Sequence, residues 1–182
     1  GVDVSDDIPD FTGVLDAFHT LRGVLLATLK GELVQQHRDE ILSDIVKNVD
    51  VGFNMTPKRL LEAERVRWTL ARHMAEFFET HEFLICPAAS IAPFESEKPF
   101  ITEIDGTPCK TYIDWFAITF ALTMTGCPVV SLPCGFTDEG LPMGLQILSK
   151  PRREDELLSF AALLEEHFTV RDQLPIDPRE AS

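Results

Sequence analysis

The sequence has 182 residues, of which 45% are hydrophobic, and this is enough for one domain with a sizeable core. Thirty acidic residues against sixteen basic ones give a net charge of −14 at pH 7. A chain this acidic is repelled by phosphate backbones and by anionic lipid surfaces, so we expect no nucleic-acid partner and no membrane partner.

The residues 1–9 are polar and acidic, and we predict a linker or a truncation edge there. A chain that starts on Gly1 instead of methionine is also what a fragment or a tag remnant would show. The residues 10–170 are expected to form the folded domain. The residues 171–182 are polar and contain two prolines, which predicts a surface tail.

The apolar residues between Phe11 and Leu29 recur at helical spacing, and Gly31 is placed to end that helix. A second helix is predicted over 36–46, with a turn over 51–55. These two helices would be the first elements of the domain.

A third helix is predicted to begin at Thr56-Pro57, because a capping residue is followed there by proline at the first helical position. We expect it to reach Thr80 and to carry Leu61 and Trp68 on its buried side.

A short apolar strand is predicted from Phe83 to Cys86, and a long loop without periodicity follows over 88–110. Loops of this length often act as a lid or a pocket wall, and a packed connector is the alternative. The residues 112–124 are apolar nearly all round, which predicts a buried helix that ends at Gly126.

The stretch 126–148 is typical of two short buried strands joined by a turn-rich loop. A last helix follows, with Leu157, Ala161, Leu164 and Phe168 on one stripe. The uncharged run 115–136 is long enough for a membrane span, but Gly126 and two prolines would interrupt it as a helix. We therefore predict a buried helix followed by a buried strand.

The four cysteines, Cys86, Cys109, Cys127 and Cys134, form no C-x-x-C pair and have no histidine at zinc-ligand spacing. Three of them adjoin prolines in apolar, strand-like segments, where a free cysteine behaves as a small buried hydrophobe. We predict reduced packing residues in a cytoplasmic protein, and a disulfide is the alternative. No metal and no other cofactor is expected.

Three motifs stand in order along the second half of the chain: Thr123-Met-Thr-Gly-Cys-Pro128, Pro133-Cys-Gly-Phe136 and Gly140-Leu-Pro-Met-Gly-Leu-Gln146. Upstream of them lie Phe83-Leu-Ile-Cys-Pro87 and Ile91-Ala-Pro93. Together they resemble the C-terminal part of the amidase signature family, serine hydrolases that cleave carboxamides. The resemblance covers about 80–170, and it implies an α/β fold with a mixed β-sheet flanked by helices.

The family's catalytic residues are a nucleophilic serine, a second serine joined through a cis peptide and a lysine base, beside a glycine-rich oxyanion hole. No two serines and no two glycines are adjacent in this sequence, and it contains no G-x-S-x-G elbow. We reject a triad of Ser90, His81 and Asp114, because nothing fixes its geometry. The resemblance therefore implies a C-terminal segment that supplies sheet and pocket wall but no catalytic residue.

The resemblance places the helix over 112–124 beside the acyl pocket, so Trp115, Phe116 and Thr123 are the candidate substrate contacts, with plain core packing as the alternative. In relatives that release ammonia from glutamine for transfer-RNA amidation, an acidic residue is expected where Phe116 stands. A more apolar amide therefore fits this chain better than glutamine.

The expected partners are a small-molecule amide in the full-length context and either the missing N-terminal half or a second copy of the chain. The competing hypothesis is a non-catalytic, shortened homologue that acts as a binding or self-associating module. A subunit that completes an active site held on another chain is the third. All three leave strand edges and apolar surface uncovered, so the isolated chain should dimerise, recruit a partner or aggregate.

Overall fold

The computed structural model describes residues 2–168 and 170. They form two compact units, one from residues up to Phe77 together with Thr123–Thr125, the other from Phe78–Leu122 and the residues from Gly126 onward. The predicted surface tail, 171–182, lies outside the described residues. None of the helices in the described part has the length and apolarity that crossing a membrane requires.

The first unit is helical. Its elements are α1 (Val14–Gln36), a 3₁₀ turn (Arg38–Glu40), α2 (Ser43–Phe53) and α3 (Pro57–Phe77). Both α2 and α3 pack against α1. The core between α1 and α2 is formed by Val34, Val46 and Val49.

The predicted end of α1 at Gly31 is wrong, because the helix continues to Gln36. The reason is a close approach between helices. A Cβ on Gly31 would lie 2.6 Å from the Phe53 ring, so the missing side chain makes room for that ring. The glycine is therefore a packing position inside the helix.

The predicted second helix over 36–46 is also wrong in its bounds, since the chain turns at Arg38–Glu40 and α2 begins only at Ser43. The Arg38 guanidinium donates to both oxygens of the Asp50 carboxylate, at 3.0 and 2.5 Å, and ties this turn to α2. These hydrogen bonds hold the pKa of Asp50 below its ordinary value. The predicted turn over 51–55 starts later, because α2 runs to Phe53.

The start of α3 is confirmed, since the Thr56 hydroxyl accepts a hydrogen bond from Arg59 N at 3.3 Å. The helix ends at Phe77, slightly before the predicted Thr80. The predicted buried side is wrong for Trp68 and Leu61, which are 73% and 65% exposed. The buried positions of α3 are Ala63, Leu70 and Met74.

The second unit contains two antiparallel sheets and two helices. Its elements are β1 (Phe83–Pro87), β2 (Glu103–Ile104), β3 (Thr107–Pro108), a 3₁₀ turn (Asp114–Phe116), α4 (Ala117–Thr123), β4 (Val129–Phe136), β5 (Pro142–Ser149) and α5 (Glu154–Phe168). The main sheet has the order β1-β5-β4. These elements give the predicted α/β class.

The register of the main sheet aligns Phe83 with Ser149 on one side of β5 and Val129 with Leu148 on the other. The two strands predicted within 126–148 are confirmed as the hairpin β4–β5. The pairing shifts between Pro133 and Gly135, where proline offers no N–H to the ladder.

The predicted last helix is confirmed as α5, which covers one face of the sheet. Leu157 and Ala161 pack with Ile147 of β5 in the buried core of this unit. The rings of Phe83 and Phe160 stack at 4.3 Å between centroids. The sheet is therefore anchored at its centre, and its two outer strands extend toward the loops described next.

The predicted loop over 88–110 contains a small hairpin, β2–β3, that the sequence pattern did not predict. Its turn residues Asp105 and Gly106 have φ values of 47° and 73°, the left-handed region that short hairpin turns require. The predicted helix over 112–124 divides into the 3₁₀ turn and α4, and Gly126 follows it at φ 70°.

Candidate functional site

An open cleft of about 410 Å³ lies in the second unit, where the loop after β1 passes the start of β5 and the 3₁₀ turn before α4. Its walls come from these three segments. The lining residues are Ala88, Ala89, Ile91, Ala92, Pro93, Phe94, Trp115, Pro142, Met143 and Gly144.

The lining of the cleft is apolar. No lining residue carries a charged side chain. The one polar side-chain group among them, the indole N–H of Trp115, donates to the Tyr112 carbonyl oxygen at 3.0 Å. A bound molecule would therefore find hydrophobic contacts and backbone groups here.

One wall of the cleft is aromatic. The rings of Phe94 and Trp115 meet edge to face, with centroids 5.3 Å apart and planes at 87°. Phe116 packs against Trp115 at 4.8 Å, and Phe120 packs against Phe116 at 5.8 Å, again edge to face. This is the geometry that aromatic pairs prefer, so each ring is supported by the next.

The 3₁₀ turn that presents Trp115 is capped by Asp114. The Asp114 carboxylate accepts hydrogen bonds from the backbone N–H of Lys110 at 2.8 Å and of Thr111 at 2.9 Å. It also accepts one from the Thr111 hydroxyl at 2.5 Å. The acid nearest to Phe116 in sequence is thus engaged in holding local structure.

The opposite wall begins at Ala88, where the chain leaves β1. The Ala88 N–H donates to the Gly144 carbonyl oxygen at 2.8 Å. The Ala88 carbonyl oxygen accepts from the Thr119 hydroxyl at 2.8 Å and from the Gln146 amide at 3.4 Å. A Cβ on Gly144 would lie 3.2 Å from both the Ala88 Cβ and the Leu132 oxygen, so this close approach favours glycine.

The candidate nucleophiles do not form a catalytic group. Burial raises the pKa of the Cys86 thiol to about 11, so it is protonated at neutral pH. Ser131, expected in a buried strand, is exposed on β4. His81 Nδ1 lies 3.0 Å from the Thr80 hydroxyl, and Asp114 caps its own turn, so these two members of the rejected triad have local contacts.

The structure brings two of the three predicted substrate contacts to one place. Trp115 lines the cleft, and Phe116 supports it from behind. Thr123 is exposed at the end of α4 and is grouped with the helical unit. All three stay predictions.

Sequence reasoning missed Phe94 and Met143. A lone aromatic residue in the proline-containing loop predicted as a pocket wall was the available signal for Phe94.

The four cysteines are free thiols, each partly buried. Within residues 2–168 and 170, no three histidine, cysteine or acidic side chains come together in a way that could hold a metal ion.

A cleft of this size and lining, beside a sheet flanked by helices, is typical of α/β proteins that bind small molecules. The model of the Amidase family matches residues 11–158, which is most of the chain. The chain therefore belongs to the amidase family, and the resemblance found in its motifs is confirmed.

Curated relatives match a central part of the chain. The A-type subunit of glutamyl-tRNA(Gln) amidotransferase from Acaryochloris marina is 33% identical over 106 residues, which are 58% of this chain and 21% of that relative. The protein of the same name from Thermodesulfovibrio yellowstonii is 35% identical over 106 residues, which are 58% of this chain and 20% of the relative. The match thus spans about a fifth of the length of these relatives.

Solved structures share the fold. A 6-aminohexanoate cyclic dimer hydrolase superposes with a TM-score of 0.77 at 23% identity, covering 92% of this chain and 38% of the other. A bacterial aryl acylamidase of the amidase signature family superposes with a TM-score of 0.75 at 19% identity, covering 96% of this chain and 39% of the other. At these identities the likeness establishes the fold, which is the amidase signature α/β fold.

Proposed function

We propose that this chain acts as the C-terminal portion of an amidase signature hydrolase that cleaves the carbon–nitrogen bond of carboxamides. In this proposal it supplies sheet strands and one wall of the substrate pocket. The nucleophilic serine, its partner serine and the lysine base lie outside these 182 residues. Nucleophilic acyl transfer needs such a nucleophile, a base in reach and donors to the oxyanion.

The observation that carries the proposal is the position of the cleft. Its walls are formed by the segments that bear the family motifs, namely the loop around Ile91-Ala-Pro93 and the start of β5 within Gly140–Gln146. The same cleft has an aromatic wall and no serine or lysine in its lining. This fits a surface that holds the substrate while other residues perform the reaction.

The proposed substrate is an amide with an apolar or aryl group. The curated relatives are named for glutamyl-tRNA(Gln) amidotransferase, but Phe116 stands where an acidic residue is expected for glutamine. Asp114, the nearest acid in sequence, is engaged by Lys110 and Thr111. A charged amino acid would therefore gain little here, while a ring could pack on Trp115.

The experiment has two readouts on the purified chain. Release of amine or ammonia is measured with a panel of aryl and aliphatic amides, together with labelling by a fluorophosphonate probe that reacts with activated serines. Binding of 4-nitroacetanilide and of glutamine is measured at equilibrium. We expect no turnover and no labelling, binding of the aryl amide, and no binding of glutamine.

The matched control uses the two tryptophans. Trp115→Ala should lose the aryl amide, whereas Trp68→Ala on the exposed face of α3 should keep it. Turnover with a labelled serine would show that these residues hold a nucleophile after all. Failure of the unaltered chain to bind the aryl amide would refute the pocket-wall role.

A further inference from the structure

Three elements converge on the peptide that begins one wall of the cleft. β5 accepts from Ala88 N through Gly144 O, α4 donates to Ala88 O through the Thr119 hydroxyl, and β5 donates again through Gln146. Both hydrogen-bonding groups of the Ala88 backbone are thus engaged, and its carbonyl oxygen accepts two donors. A peptide held from three directions has little freedom to move.

The Gln146 side chain is buried, with 6% of its surface exposed. Its amide nitrogen donates to two successive carbonyl oxygens, Pro87 O at 3.1 Å and Ala88 O at 3.4 Å. Successive carbonyls of a regular strand point in opposite directions, so one amide can reach both only where the chain bends. Gln146 therefore fixes the corner at which β1 becomes the loop over 88–94.

Burying an amide in this place is costly unless its hydrogen bonds are made, and a hydrophobic residue would fill the space more cheaply. The bonds that Gln146 makes go to the wall of the cleft rather than to the sheet ladder. This indicates that the side chain serves the shape of the loop more than the stability of β5.

Thr119 connects the two walls of the cleft. It follows Trp115 by about one helical turn, and its hydroxyl bonds the residue from which the opposite wall starts. That wall carries Phe94, whose ring meets the Trp115 ring edge to face. The distance between Phe94 and Trp115 is therefore set at one end by the Thr119–Ala88 hydrogen bond.

We propose that Thr119 and Gln146 are positioning residues that hold the loop over 88–94 in place and so keep the cleft formed before an amide binds. The role of the cleft in binding rests on the proposed function; the restraint on the loop does not. Neither side chain lines the cleft in the described structure, so both act through the Ala88 peptide.

The test compares Thr119→Val and Gln146→Met, which keep the side-chain shape and remove the hydrogen bond, with the unaltered chain. Hydrogen exchange of the Ala89, Ile91 and Phe94 amides is measured without ligand. We expect exchange at these amides to be about tenfold faster in each variant. Thr119→Ser keeps the hydroxyl and should restore the slow exchange.

The matched control is Ser149→Ala. Ser149 is as buried as Gln146 and lies on the same strand, but its hydroxyl bonds the carbonyl oxygens of Lys150 and Arg153, away from the cleft. This variant should lower the melting temperature and leave exchange over 89–94 unchanged. A purely structural role of Gln146 would make the two β5 variants behave alike.

Affinity for 4-nitroacetanilide provides the second readout, followed by quenching of Trp115 emission in a chain that carries Trp68→Phe. Each variant should weaken binding about tenfold, and the double variant should weaken it by less than the product because both bonds hold one carbonyl. Unchanged exchange in both single variants would overturn the proposal. If the unaltered chain binds no aryl amide, the proposed function fails while the exchange comparison still decides the positioning role.

Discussion

Cys86 lies on β1 opposite Gln146 of β5, and desolvation raises the pKa of its thiol to about 11. Because the thiolate is the reactive form, the raised pKa makes Cys86 slow to react at neutral pH. We expect its alkylation by iodoacetamide to accelerate about tenfold per pH unit from roughly pH 7 to pH 10, without levelling off. Peptide mass spectrometry of timed samples measures this rate for each cysteine.

The control for Cys86 is the same chain unfolded in urea, in which the rate should level off near the ordinary thiol pKa of roughly 8.5. Cys86 reacting in the folded chain with a plateau by about pH 9 would mean that the thiol is not desolvated as the structure shows. The direction of this effect follows from burial alone, since the thiol is the uncharged form.

At the scale of elements, the crossing of α1 and α2 depends on glycines. A Cβ on Gly52 would collide with the Gly23 carbonyl oxygen and would lie 2.5 Å from the Ala27 Cβ. Neither the backbone nor a β-carbon can move away without shifting a helix. At Gly31 the obstacle is instead the half-exposed ring of Phe53, which can rotate into solvent.

This contrast predicts opposite effects of one substitution. Alanine is favoured over glycine inside a helix by up to about 1 kcal/mol. At Gly52 we expect overpacking, which costs roughly 1–3 kcal/mol, to exceed that gain, so Gly52→Ala should lower the free energy of unfolding. Gly31→Ala should leave it unchanged or raise it slightly. Urea unfolding followed by circular dichroism measures both.

An equal loss of stability in Gly52→Ala and Gly31→Ala would show that the Phe53 ring is held as firmly as the backbone. A stabilised Gly52→Ala would show that α1 and α2 do not cross as closely as described. The two variants carry the same chemical change, so helix propensity cancels in the comparison.

At the scale of the whole molecule, α1 is apolar on two faces. Gly23, Gly31 and Val34 are buried in the helical unit, while Leu25, Leu29 and Leu33 recur every fourth residue on another face and are 55%, 64% and 49% exposed. Residues four apart lie on one face of a helix, so these leucines form a continuous apolar stripe.

We therefore expect the chain to self-associate through this leucine stripe, opposed by its net charge of −14. Raising the salt from about 10 mM to about 0.1 M shortens the screening length from about 30 Å to about 10 Å and should strengthen association. Sedimentation measures it. The double variant Leu25→Gln, Leu29→Gln should weaken association at unchanged charge.

Leu158→Gln is the matched control, because Leu158 is a 61% exposed leucine on α5 in the other unit. Its association should equal that of the unaltered chain. A monomer at every concentration and salt, or an equal effect of both changes, would contradict the prediction.

The sequence by itself determined the elements whose signals are local. The Thr56-Pro57 cap began α3, Gly126 ended α4, and the glycines and prolines around 126–148 marked the β4–β5 hairpin. The motifs also predicted the family, because their order and spacing are fixed along the chain. Trp115 was found in the same way, from its place before the matched glycine.

The tertiary structure alone decided what depends on residues distant along the chain. Gly31 resembles a helix stop, yet its environment is the Phe53 ring, and Trp68 resembles a core residue but faces outward. The cleft is assembled from three segments that no periodicity connects, and Gln146 gains its role only where β1 bends past β5. A one-dimensional pattern records propensities, whereas packing and hydrogen bonding are settled by which segments meet in space.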